Sequence, residues 1–126
     1  MLDTEDRPKE IVMSYIRALD NGEYEKALVY LNERVRIRGP AGETFGRPTD
    51  FIEMLRKYRG KYSIRKVFAD GKDVCVLYDL ATIGPKVYMS SWYTISDDRI
   101  VSIETVFDPR AFGSPPGNDA GRTVAR

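Results

Sequence analysis

The sequence predicts an α+β domain in which three helices pack on the inner face of a strongly curved, cone-shaped antiparallel sheet. Three observations lead there. Apolar residues recur at helical three- and four-residue spacing only ahead of Gly60. From Lys61 to Phe107 they alternate with polar residues at the period of a strand. The dipeptides Asn21-Gly22, Asp70-Gly71, Gly84-Pro85 and Asp97-Asp98 punctuate the segments as turns. Helices first and strands afterwards is an α+β order, not that of alternating βαβ units. At 126 residues the chain holds one core, and a single domain is expected over residues 1–112. Residues 113–126 are expected to form a disordered tail. The last stretch, from Asp108 on, carries three of the seven prolines and few apolar residues after Phe112, too few to offset the entropy of ordering it.

Taken in order, Pro8 suits the first turn of a helix behind an Asp6 cap, and Ile11, Val12, Tyr15, Ile16 and Leu19 give it one apolar face over residues 8–20. Asn21-Gly22 breaks that helix. Tyr24, Ala27, Leu28 and Leu31 mark a second, short one ending near Asn32. Val35 and Ile37 then alternate with Arg34, Arg36 and Arg38 as a half-buried strand that stops at Gly39-Pro40-Ala41-Gly42. Pro48 and Asp50 open a third helix with Phe51, Ile52, Met54, Leu55 and Tyr58 at helical spacing, and Gly60 closes it. Strands over 61–69, 73–83, 86–96 and 99–107 complete a hairpin-linked meander.

Composition excludes more than it selects. With 20 Lys plus Arg against 19 Asp plus Glu the net charge is +1, so no nucleic-acid partner is expected. The chain has no histidine, which removes the commonest general base, the Ser-His and Cys-His pairs and every histidine metal site. Cys75, the one cysteine, lies among apolar strand neighbours and is read as inert. It can form no internal disulfide, and the acidic start MLDTEDRPKE has no apolar signal core. A cytoplasmic protein is therefore expected. No apolar run reaches the roughly 18 residues that cross a bilayer, and no membrane partner is expected. Neither a phosphate-cradling glycine loop, a nucleophile elbow nor a metal-ligand cluster can be found, so no cofactor or metal is expected.

Several local matches resemble one family. Ser14-Tyr15-Ile16-Arg17-Ala18-Leu19 followed by Asn21-Gly22-Glu23-Tyr24, Gly46-Arg47-Pro48 ahead of the third helix, Arg99-Ile100-Val101 and Phe107-Asp108-Pro109 look like the nuclear transport factor two-like superfamily, in its SnoaL-like branch of polyketide cyclases and ketosteroid isomerases. The resemblance spans residues 8 to about 112. It implies a cone that holds a small apolar molecule and an outer sheet face against which a partner sheet packs. The superfamily contains enzymes, binding modules and scaffolds, so function has to be argued from the site.

Strand parity chooses the candidate lining, because successive side chains face opposite sides. The apolar sets are Val101, Ile103, Thr105 and Phe107 in the last strand, Val87, Met89, Ser91, Tyr93 and Ile95 before it, and Val74, Val76, Tyr78 and Leu80 in the strand from 73. With the helical residues added, the ligand-binding candidates are Tyr15, Met54, Tyr58, Tyr78, Ser91, Tyr93, Thr105 and Phe107. The competing expectation is that these aromatics simply fill the cone. By resemblance, Tyr15 falls where ketosteroid isomerases place an oxyanion tyrosine, a chemistry known to pair such a Tyr with two acids. The same resemblance puts the catalytic base at Gly39 and the second acid at Ser91, so steroid isomerisation is not expected and no catalytic residue is assigned. Asp79 and Glu104 have outward parity, and Asp108 caps the turn into Pro109.

The outward set includes Tyr88, Ser90, Trp92 and Thr94, beside Cys75, Leu77 and Ala81. Such an apolar patch predicts a homodimer anchored by Trp92. The basic cluster Arg56, Lys57, Arg59, Lys61, Arg65 and Lys66 reads as a solvated face, and Arg34, Arg36 and Arg38 as a ladder blunting a sheet edge. Together these readings describe a small-molecule binding domain for a mostly apolar ligand, with isomerase- or cyclase-type activity left open. The alternative is a protein-interaction or scaffold domain that uses the outer sheet face.

Overall fold

A computed structural model describes residues 6–42 and 46–112. The first helix, α1, spans Arg7–Asp20 and buries Pro8, Ile11, Val12, Tyr15, Ile16, Ala18 and Leu19. Asp6 precedes it without a side-chain cap bond, so its expected capping role is absent; the Asp6 backbone carbonyl accepts from Glu10 instead. At the other end Gly22 takes φ +76°, and the Glu23 N–H reaches back to the Ala18 carbonyl at 2.8 Å. That is a left-handed helix stop. It turns the chain into α2, Tyr24–Val29.

The second helix ends three residues before the expected Asn32. Its last residue is followed by Tyr30, whose carbonyl accepts from Ile100, and Leu31 already pairs with Ile100 in strand β1, Leu31–Arg38. Sheet pairing has overridden helical spacing here. Helix α3, Pro48–Tyr58, ends with Arg59 in the left-handed region at φ 50°, so Arg59 and not Gly60 takes the strained stop. Gly60 serves a different purpose: a Cβ there would lie 2.5 Å from Leu80 Cδ1.

Strands β2 (Lys61–Asp70), β3 (Asp73–Ala81), β4 (Lys86–Ser96) and β5 (Arg99–Val106) form the expected meander, and a short 3-10 helix, Pro109–Phe112, follows. The sheet order is β1-β5-β4-β3-β2. It is antiparallel except where β1 joins β5 in parallel, with Ile37 opposite Ile103. Strand β3 stops two residues earlier than expected, because Thr82 leaves the ladder and its Oγ1 donates to the Pro85 carbonyl at 2.8 Å. Asp97 and Asp98 both take positive φ in the last hairpin turn, and Arg7 pairs with Asp98 at 3.3 Å.

Inward and outward faces follow the expected parity in β3 and β4, whose burial alternates residue by residue. In β5 they do not. Thr94 pairs with Ser102 but Ile95 pairs with Ile100, which leaves Val101 as the extra residue of a bulge. Ile100 is consequently buried in its place, while Ile103 keeps its inward position. The expectation that Val101 faces inward is corrected by that bulge.

The basic cluster is dispersed among separate partners. Arg56 bonds Glu53, Lys61 donates to the Asp20 carbonyl and Arg65 pairs with Asp79. The proposed tail, 113–126, lies outside the described residues.

Gly60→Ala should push Leu80 off its position and destabilise the fold by about 1 kcal/mol or more. Denaturant unfolding measures this, and a variant as stable as the parent would mean that Leu80 yields freely.

Candidate functional site

A cavity of about 540 Å³ lies between the helices and the concave sheet face. The eight positions chosen by parity and helical face all line it: Tyr15 from α1, Met54 and Tyr58 from α3, Tyr78 from β3, Ser91 and Tyr93 from β4, Thr105 from β5 and Phe107 just after it. Tyr15, Tyr78, Ser91 and Tyr93 are buried, whereas Tyr58 is partly exposed. The space between these side chains is open, so the aromatics wall the cone without filling it.

Three hydroxyls in the cavity form a chain. The Tyr78 hydroxyl and Ser91 Oγ are 2.9 Å apart, and Ser91 Oγ is 2.9 Å from Thr105 Oγ1. Three adjacent strands supply them: Ser91 pairs directly with Thr105, and Tyr78, which pairs with Met89, reaches Ser91 diagonally from two residues along β3. Burial drives the Tyr15 and Tyr93 phenols well above their ordinary value, with neighbouring tyrosines adding to the effect. Burial also raises Tyr78, to about 12, against a small opposing pull from the Ser91 hydroxyl. The rings brace one another: Tyr15 meets Tyr93 edge-on with centroids 6.0 Å apart.

Sequence reasoning missed three of the lining residues that matter chemically. Tyr62 packs on Tyr78 at 5.4 Å, and burial of its hydroxyl raises its pKa as well. Its place opposite Leu80, an inward residue, is a signal that parity could have used. Phe112 lies 5.4 Å from Phe107 and 5.5 Å from Tyr58, closing an aromatic cluster on one side of the cavity. Arg38, read as part of an edge ladder with Arg34 and Arg36, lines the cavity, as neither of the others does.

Carboxylates stay outside. Asp79 accepts from Arg65 Nε at 2.8 Å on the outer face, and that bond holds its carboxyl below the usual range. Asp108 accepts from the Arg110 backbone and guanidinium, capping the 3-10 helix. Among the described residues no Asp or Glu lines the cavity, and Gly39, the position where the resemblance would put a base, contributes backbone alone. Among the described residues no cluster suited to a metal ion occurs, and no helix is long and apolar enough to cross a membrane.

Solved structures with this architecture have been compared with the chain. An NTF2-like protein of unknown function from Cytophaga hutchinsonii shares 29% identity and a TM-score of 0.79, over 85% of this chain and 95% of that one. The fold is the NTF2-like cone. An LEH-like epoxide hydrolase from M. tuberculosis aligns over 88% of this chain and 85% of its own at 15% identity and a TM-score of 0.76. The epoxide hydrolase/cyclase-like enzyme SalBIII, described for pyran ring formation in salinomycin, aligns over 85% and 95% respectively, at 19% identity and a TM-score of 0.76. Ketosteroid isomerase-like and polyketide cyclase-like proteins are further structural neighbours. No protein-family model matches the chain, and no curated protein does. At identities this low the two enzymes share the fold, and the chemistry of this cavity rests on its own residues.

The raised phenols set an alkaline limit on stability. Above about pH 10 the unfolded chain releases tyrosine protons that the folded chain keeps, so stability falls as pH rises, by up to about 1.4 kcal/mol per pH unit for each protected phenol. Tyr15, Tyr62, Tyr78 and Tyr93, four of the eight tyrosines, should therefore ionise together with unfolding. Phenolate absorbance followed alongside circular dichroism tests this; early, non-cooperative titration of all eight would contradict it.

Proposed function

We propose that this protein is a small-molecule binding domain that takes a mostly apolar ligand into the cone, with Tyr15, Met54, Tyr58, Tyr78, Ser91, Tyr93, Thr105 and Phe107 as its walls. The observation that carries this reading is the open cavity of about 540 Å³, mostly apolar with a few hydroxyls inside and Arg38 among its lining, which is the usual composition of a small-molecule site. Binding is favoured over isomerase or cyclase chemistry. A general base must be deprotonated near the working pH, and among the described residues that line the cavity there is no carboxylate or imidazole, while its buried phenols are held protonated. A cytoplasmic setting suits a chain with one free cysteine, Cys75.

Native mass spectrometry of the protein purified from its own cells should find one small molecule per chain. Thr105→Phe, which places a ring in the cavity, should reduce its occupancy roughly tenfold or more. A chain that carries nothing, and binds no apolar probe, would favour the scaffold reading.

We further propose a homodimer through the outer sheet face. Phe68, Cys75, Trp92 and Glu104 form one row across β2 to β5, and Lys66, Leu77, Ser90 and Val106 the next. Phe68, Tyr88, Trp92 and Val106 are each about half exposed or more. A self-complementary patch of this kind is satisfied by a second copy. Trp92 is pre-oriented for it, because its Nε1 donates to Asp73 Oδ1 at 2.9 Å, and large aromatics dominate interface energetics. Trp92→Glu should convert dimer to monomer in sedimentation without loss of secondary structure, and a parent protein that sediments as a monomer at high micromolar concentration would overturn the proposal.

A further inference from the structure

Among the described residues Arg38 is the one charged side chain that lines the cavity. Its neighbours on the strand, Arg34 and Arg36, are exposed and do not. Ion pairs among the described residues engage Arg7, Arg47, Arg56, Arg65 and Arg110, and leave Arg38 out. Glu104, its register neighbour on β5, makes no ion pair with it. The guanidinium lies over the Gly39–Gly42 turn, 3.9 Å from where a Cβ on Gly42 would sit, and a bond from the Gly42 N–H to the Gly39 carbonyl at 3.0 Å closes that turn. Gly39 and Pro40 also line the cavity. Arg38, exposed yet lining, therefore stands at the rim with no hydrogen bond or ion pair from its guanidinium to any described residue.

The interior has the same polarity. Three hydroxyls joined by two hydrogen bonds, Tyr78, Ser91 and Thr105, hold three protons and use two, so one of the three has a proton to give. The Tyr15 hydroxyl, fully buried, has no hydrogen-bond partner among the described residues. Donors thus face the cavity at both depth and rim, and among the described residues that line it no anionic group opposes them. The guanidinium at the rim repels a cation, whereas an anion would find there a planar fork matched to a carboxylate.

We propose that the ligand is an amphipathic organic acid whose apolar body occupies the aromatic cavity and whose carboxylate pairs with Arg38 at the rim. This rests on the binding reading above and adds the charge of the ligand to it. The polar end stays near water, where a paired carboxylate costs little to desolvate, and the hydroxyl chain remains free to donate to an acceptor on the buried end.

Titration calorimetry on the full chain, with naphthylacetate and its uncharged counterpart naphthylethanol as probes, tests it. The acid should bind roughly tenfold more tightly than the alcohol, and added salt should weaken the acid alone. Arg38→Gln should bring the acid down to the alcohol and leave the alcohol unchanged, Arg38→Lys should restore part of the difference, and Arg36→Gln should alter neither. Equal binding of the two probes by the parent, or an acid preference that survives Arg38→Gln, would overturn the assignment of Arg38 while the cavity reading stands. If neither probe binds the parent protein, the binding reading falls and takes this inference with it. Circular dichroism of Arg38→Gln checks that the exposed strand end keeps its fold.

Discussion

Helix α1 lying across the concave face of the sheet is the contact on which the remaining structure depends. It touches β2, β3, β4 and β5, and its buried Ile11, Val12, Ile16 and Ala18 pack with Val74, Val76 and Ile100 in one core. Removing that apolar area from water supplies the largest favourable term in folding such a domain. The packing is also lopsided. Aliphatic side chains close one part of the cone, while Tyr15 and Leu19 leave the rest to larger, more widely spaced aromatics, so the cavity exists because α1 covers only part of the face it folds against.

Alternation along the strands then sorts the chemistry. On β4, Ser91 and Tyr93 face the cavity while Trp92 between them faces out to Asp73. On β3, Tyr78 is inside and Asp79 outside. A one-residue slip would reverse every one of these placements and bury a carboxylate among tyrosines, at a cost of several kcal/mol. The separation of donors within from acids without is therefore a consequence of register, and it is enforced by the same burial that stabilises the fold.

Much of this was legible in the sequence because β3 and β4 pair without a bulge, so that parity read from residue types alone transfers directly to the structure. Parity failed at Val101, where a bulge inserts a residue that no local pattern marks. Helical spacing carried α2 too far, because Leu31 fits an amphipathic helix as well as it fits a strand and only the pairing with Ile100 decides. The stop at Arg59 escaped notice since glycine is the usual left-handed residue, and the reason for Gly60 is a contact with Leu80 twenty positions away. Arg38 was hidden by its own regularity: with Arg34 and Arg36 it completes a pattern that means solvent on an edge strand, and only the end of β1 at the turn brings it to a rim.

The fold sets a space and leaves its chemistry to a handful of positions. Where the resemblance to ketosteroid isomerases would supply a base, this chain has Gly39, and where it would supply a second acid it has Ser91, tied between Tyr78 and Thr105. Each change removes a group that could take up or release a proton near neutral pH. What is left in the cavity donates hydrogen bonds and holds its protons, because burial in an apolar cone penalises the phenolate far more than any neighbour stabilises it. A cone so furnished can orient an oxygen of a bound molecule, because each hydroxyl both donates and accepts a hydrogen bond.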